Sequence, residues 1–158
     1  MSSQFEIEVR RFPWEELRQC SDKWRQDVPT LLNELITAPD ESAASAAYFR
    51  LEGACFPQRL VTESCVAVVS CLCAALSDRP EEFVGAWIIE ALRGIVCGEP
   101  IRSEVDRGND ALMDSCRLAG LQGYWLLRQL ATHSDGPELD NLERILLQLD
   151  KARGAASQ

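Results

Sequence analysis

The sequence predicts an all-α fold, and three observations carry that prediction. Apolar residues recur at helical spacing along almost the whole chain. Proline, often beside aspartate, punctuates the apolar stretches at Pro13, Pro29, Pro39, Pro57, Pro80, Pro100 and Pro137. No strand-forming run competes with this pattern. A chain of 158 residues is the size of one domain, so a single helical domain over 1–158 is expected. A chain of that length buries roughly 70% of its unfolded surface and needs no disulfide or metal to hold a core.

Taken in order, Phe5, Ile7 and Val9 alternate with Glu6 and Glu8, which predicts an extended arm over residues 1–12. Pro13 then opens a helix around Trp14 to Lys23, with proline in the first turn where its missing N–H costs nothing. A helix over Val28 to Thr37 follows, capped by Asp27 and ended by Pro39. The next runs from Glu41 to Ala54 and stops before Pro57. Thr62 to Leu76 is apolar on nearly every face, the pattern of a central helix covered on several sides.

A fifth helix starts at Pro80-Glu81-Glu82. Its stripe is Phe83, Val84, Trp87, Ile88, Ala91, Leu92 and Ile95, and Gly98 and Pro100 stop it. Ile101 to Thr132 reads as one or two helices, broken somewhere among Gly108, Gly120 and Gly123. Glu138 to Arg153 closes the chain with Leu139, Leu142, Ile145, Leu146 and Leu149 on one face, and residues 154–158 are expected to fray. The total is about seven helices with short connections.

Composition narrows the function. The net charge is −9, from 25 acidic and 16 basic residues. Such a chain repels a nucleic-acid polyanion on average, and its natural complement is a basic protein. Solubility alone also accounts for an acidic balance. The longest near-apolar stretch, Cys65 to Leu76, is far short of the ~20 residues a membrane helix needs. The first residues carry neither a basic start nor an apolar stretch, so a cytoplasmic protein is expected. Seven cysteines without Cys-x-x-Cys spacing read as reduced core thiols. A single histidine, His133, excludes any mechanism that needs two. Phosphate-cradling glycine loops and nucleophile elbows are absent from the sequence. No cofactor and no metal are expected.

Three turns look alike: Pro39-Asp40-Glu41, Asp78-Arg79-Pro80-Glu81 and Asp135-Gly136-Pro137-Glu138. Each joins a leucine-rich helix end to an acidic helix start, and their aspartates lie 38 and then 57 residues apart. The first spacing suits a helix-pair repeat, and the second needs an insertion. The segment Ala46-Ala47-Tyr48-Phe49-Arg50-Leu51-Glu52-Gly53-Ala54-Cys55-Phe56-Pro57-Gln58, followed by Val66 to Leu72, resembles bacterial HEAT-like proteins over about residues 30–97. After Gln58 the chain departs from that pattern, with Arg59 where glycine is expected. The resemblance implies a short α-α superhelix of helix hairpins. By analogy of fold it also implies an immunity or inhibitor protein for a bacterial toxin.

The expected function is therefore non-catalytic binding: occlusion of a basic toxin domain, encoded nearby, by a chain that is a monomer or weak dimer when free. It engages neither nucleic acid nor membrane. If Ile101 to Thr132 is helical, Asp106, Asp110 and Asp114 form a stripe at i, i+4, i+8, with Glu99 and Glu104 beside it. Like charges at that spacing cost a helix a few tenths of a kcal/mol per pair, a cost that a basic partner relieves. The alternative is an ordinary acidic helix start broken by Gly108. Trp14 and Trp24 are the candidate anchors on the first helix. A scaffold that holds a peptide in a solenoid groove is the second reading. An enzyme using Glu52 or Glu90, both in mid-helix, is the third.

Overall fold

The computed structural model describes residues 2–157. The fold is all-α. The first element corrects the expected arm: residues Gln4–Val9 form helix α1. The Ser3 hydroxyl accepts the Glu6 N–H at 3.1 Å, and the Glu6 carboxylate accepts the Ser3 N–H at 3.2 Å, a reciprocal capping box. The alternation of apolar residues misled because only Phe5 is buried, while Ile7 is 49% exposed. A second anchor comes from far along the chain, where the Asp78 carboxylate accepts the N–H groups of Gln4 and Phe5 at 3.0 and 2.9 Å.

The helix expected from Trp14 to Lys23 is a second correction. Only Trp14–Glu16 makes a 3₁₀ turn, and the chain then runs irregularly to Asp27. Its backbone groups bond outward instead of along a helix: Cys20 donates to the Ala54 carbonyl at 2.8 Å, and the Arg18 carbonyl accepts from Ser64 at 3.0 Å. The Gln19 side-chain amide bonds both backbone groups of Gln26 within the loop, donating to its carbonyl at 2.7 Å and accepting its N–H at 2.8 Å.

Helix α2 (Val28–Ile36) starts on Asp27, whose side chain accepts the Thr30 N–H, with Pro29 in its first turn. Helix α3 (Glu41–Cys55) starts on Asp40, which accepts the Ala43 N–H at 2.8 Å, and packs along α2. Helix α4 (Cys65–Ser77) is the central element: ten of its 13 residues are buried, and it meets α1 before it and two of the helices after it. It begins three residues later than the periodicity suggests, because Thr62 uses its N–H and hydroxyl on the Cys55 carbonyl. Helix α5 (Glu82–Val96) packs on α3 and α4.

Periodicity does not show one further feature: β1 (Leu60–Val61), between α3 and α4, pairs in parallel over two residues with β2 (Glu99–Pro100), which follows α5. The turn before β1 holds Gln58 and Arg59 at φ 52° and 65°, the left-handed region where glycine is favoured. Gly98 permits the crossing, since a Cβ there would sit 2.5 Å from the Arg59 carbonyl oxygen.

Ile101 to Thr132 contains three helices rather than one or two: α6 (Arg102–Asp106), α7 (Leu112–Gly120) and α8 (Tyr124–Ala131). Gly108 at φ 77° separates the first two, and a 3₁₀ turn over Leu121–Gly123 separates the others. Helix α9 (Gly136–Ala156) packs on α5, α7 and α8 and stays helical through residues 154–156, where fraying was expected; Gln158 lies outside the described residues. The buried apolar side chains form one contiguous cluster from Phe5 to Leu149.

The three similar turns differ in chemistry. Asp40 caps α3, but Asp78 serves α1 rather than α5, and the Asp135 side chain makes no capping bond to α9.

Candidate functional site

The expected acidic stripe does not exist as one face. Asp106 ends α6, Asp110 lies in the turn after Gly108, and Asp114 sits in the first turn of α7. The reason is the left-handed glycine, which turns the chain between the two short helices. All three aspartates are exposed, and Asp106 is paired with Arg102 at 3.0 Å. Glu99 is exposed on β2.

Glu104 is not available to a partner, being only 1% exposed. Its carboxylate accepts from Arg18 Nε at 2.6 Å, Arg18 Nη2 at 3.1 Å and Asn109 Nδ2 at 3.0 Å. The Arg18 hydrogen bond is the main reason its pKa lies below the ordinary carboxylate range. Arg18 also reaches Glu63 at 3.0 Å, so the cluster ties the loop after Trp14 to α6 and to the start of α4.

The two tryptophan candidates share no helix. Trp14 is half-buried against the core, and its Nε1 donates to the Val9 carbonyl at 2.8 Å. Trp24 stands 71% exposed. Trp14 lines a cleft of about 640 Å³ built by the N-terminal loop. That loop satisfies its own polar groups: the Arg25 guanidinium donates to the Trp14 carbonyl at 2.6 Å, and Gln19 pairs with Gln26.

A second cleft, of about 550 Å³, combines charge with aromatic surface between α3, α5 and α9. Helix α3 supplies Glu41, Tyr48, Phe49 and Glu52, helix α5 supplies Trp87 and Glu90, and helix α9 supplies Glu138 and Asn141. The placement follows from helical spacing. Glu41, Tyr48 and Glu52 recur at intervals of seven and four, and Trp87 and Glu90 at three, so each set lies on one face.

The aromatic rings form a cluster. Tyr48 and Trp87 have centroids 4.8 Å apart, Phe49 stands edge-on to Tyr48 at 5.2 Å, and Phe49 meets Trp87 at 5.8 Å. Tyr48 is buried beneath, whereas Phe49 is 57% exposed. Three carboxylates receive neutral donors: Trp87 Nε1 reaches Glu41 at 3.1 Å, Asn141 Nδ2 reaches Glu90 at 2.8 Å, and the Tyr48 hydroxyl reaches Glu52 at 3.4 Å. Among the described residues, none of Glu41, Glu52, Glu90 and Glu138 is in an ion pair. Burial first, and then the charges of Glu52 and Glu90, push the Tyr48 hydroxyl pKa well up, so it stays protonated.

Sequence reasoning singled out Glu52 and Glu90 and read Trp87 as core. It missed Tyr48, Phe49, Glu41, Glu138 and Asn141 as parts of one site. The legible signal was Tyr48 four residues before Glu52 and Trp87 three before Glu90, aromatic–acid pairs on two neighbouring helices.

The seven cysteines are free thiols. Burial pushes Cys55, Cys73 and Cys116 up to about 12 and raises Cys65 and Cys71 as well. His133 is exposed in the turn after α8. Among the described residues, no three His, Cys, Asp or Glu side chains gather as a metal site, and no helix is long and apolar enough to cross a membrane. Comparison with family models, curated proteins and solved structures finds no match.

Proposed function

We propose that this protein acts by binding: an acidic inhibitor, of the immunity-protein kind, that occludes a basic toxin domain. The observation that carries the reading is the α3–α5–α9 cleft, with four carboxylates that no ion pair among the described residues engages, around three aromatic rings. Negative potential steers a basic protein toward such a surface and rejects acidic ones, while aromatic groups supply contact area at low entropic cost. The net charge of −9 points the same way.

Burial and the neighbouring carboxylates hold the Tyr48 hydroxyl protonated, so it serves the cleft as a hydrogen-bond donor rather than as a nucleophile. A scaffold for a basic peptide is the second reading, favoured by a cleft volume within the range of ligand pockets.

The test is co-expression with the polypeptide encoded beside this chain, followed by gel filtration at low and high salt. Co-elution at low salt is expected. Loss of the complex at high salt assigns much of its affinity to charge. Absence of a complex at every salt concentration overturns the inhibitor reading and moves the weight to the scaffold.

A further inference from the structure

We propose that the α3–α5–α9 cleft is a receptor for an arginine side chain, its guanidinium lying against the aromatic rings and donating to the carboxylates of Glu52 and Glu90. This assignment rests on the binding reading above and names the group recognised.

Three features of the cleft converge on a guanidinium. The first is uncompensated charge. Glu41, Glu52 and Glu90 each accept a hydrogen bond from a neutral donor, an indole, a phenol and an amide. Those bonds orient the carboxylates without cancelling their charge. Each carboxylate keeps further lone-pair sites open to a ligand. Arg59 is close enough for its charge to reach Tyr48, but it forms no ion pair with the cleft acids. A cation entering the cleft meets negative charges that no ion pair among the described residues compensates.

The second feature is aromatic surface placed among those charges. Phe49 and Trp87 line the cleft above buried Tyr48. Aromatic faces attract a cation, and more strongly the more of its water it sheds. The third is the distribution of acceptors over two helices. Glu52 comes from α3 and Glu90 from α5, and both lie close enough to Tyr48 for their charges to act on its hydroxyl. A planar fork of five N–H donors can stack on a ring and still reach carboxylates around its rim, whereas an ammonium is a point charge that serves fewer of them at once. The volume of about 550 Å³ leaves room for the neighbouring backbone, so the arginine can come from an exposed loop of a larger protein.

The experiment uses the full chain and a capped Gly-Arg-Gly peptide, with lysine, trimethyl-lysine and norleucine peptides as comparators. Calorimetry gives affinity, and the indole N–H resonance of Trp87, assigned with Trp87→Phe, gives location. The arginine peptide should bind at least about fivefold more tightly than the lysine peptide and shift the Trp87 resonance. Glu52→Gln together with Glu90→Gln should weaken it at least about tenfold, and Phe49→Ala, at an exposed position, should weaken it with the fold intact. Binding no tighter than the norleucine peptide overturns the proposal. So does equal or tighter binding of trimethyl-lysine, or indifference to the Glu52 and Glu90 changes.

The parent reading fails separately. A partner that co-elutes equally with the wild-type chain and with the Glu52→Gln/Glu90→Gln variant overturns the arginine site and leaves the inhibitor in place on another face. Peptide binding without any partner complex does the reverse.

Discussion

Replacing Glu104 with glutamine should destabilise this protein by about 2 kcal/mol. The side chain keeps its volume and one acceptor oxygen but loses its charge and presents an amide to Arg18. What disappears is at least one charge-assisted hydrogen bond, and bonds to charged groups are worth roughly 1.5–3 kcal/mol. The upper end does not apply, because the Arg18 side chain is 34% exposed and keeps Glu63 at 3.0 Å, so water and a second carboxylate retain its charge. For a chain of this length, about 2 kcal/mol lowers Tm by roughly 4–8 °C.

Removing the other partner should cost more. Arg18→Met leaves a carboxylate only 2% exposed with Asn109 as its remaining side-chain donor, and breaking a buried pair in this way costs about 3 kcal/mol or more. The pH dependence has a fixed sign. Glu104 has a lowered folded pKa, so its contribution is complete above the ordinary carboxylate value of about 4.3. That contribution is lost as pH falls through the folded value. Urea unfolding of wild type and Glu104→Gln at pH 7 and at successively lower pH measures this directly. The gap between them should narrow on acidification. Equal midpoints at pH 7, or a gap that does not narrow, refute the account of this cluster.

Other expectations follow from single contacts. Asp78→Ala removes the carboxylate that accepts the N–H groups of Gln4 and Phe5, and should cost about 1–2 kcal/mol in urea unfolding, with release of α1 seen as faster amide exchange at those positions. Gly98→Ala places a Cβ 2.5 Å from the Arg59 carbonyl and 2.7 Å from that of Gly94, both backbone atoms, so it should lower Tm by several degrees; an unchanged Tm would show that the β1–β2 crossing gives way freely. An alkylating reagent applied to the native chain should modify Cys20 first and Cys97 more slowly, and should leave the five buried thiols until unfolding, as read by mass spectrometry of the peptides.

Much of the helical frame is readable because one signal dominates each element. α2, α3 and α5 carry a proline or aspartate start with an apolar stripe behind it, and α4 is apolar throughout. The failures share a cause: the deciding contact lies far away in sequence or in a side chain that periodicity ignores. Alternation hid the Ser3–Glu6 capping box of α1, and its second anchor, Asp78, lies more than seventy residues on. The loop after Trp14 has helix-compatible residues, yet its backbone bonds go to Ala54 and Ser64. Arg59 carries a full side chain, and the backbone there adopts the glycine-like φ of 65° all the same.

The site was half visible for the same reason. Composition predicted that acid would face a basic partner, and mid-helix Glu52 and Glu90 stood out one at a time. Their union depends on α3, α5 and α9 meeting on one side, a property of tertiary packing. The chain segment that looked most acidic, Glu99 to Asp114, instead spends Glu104 on holding the fold and splits its aspartates around Gly108. Acidity along a sequence therefore does not by itself gather carboxylates on one face. The informative pattern is acid beside aromatic at helical spacing: the aromatic ring lines the cleft wall, and the acid at its edge remains without a cation.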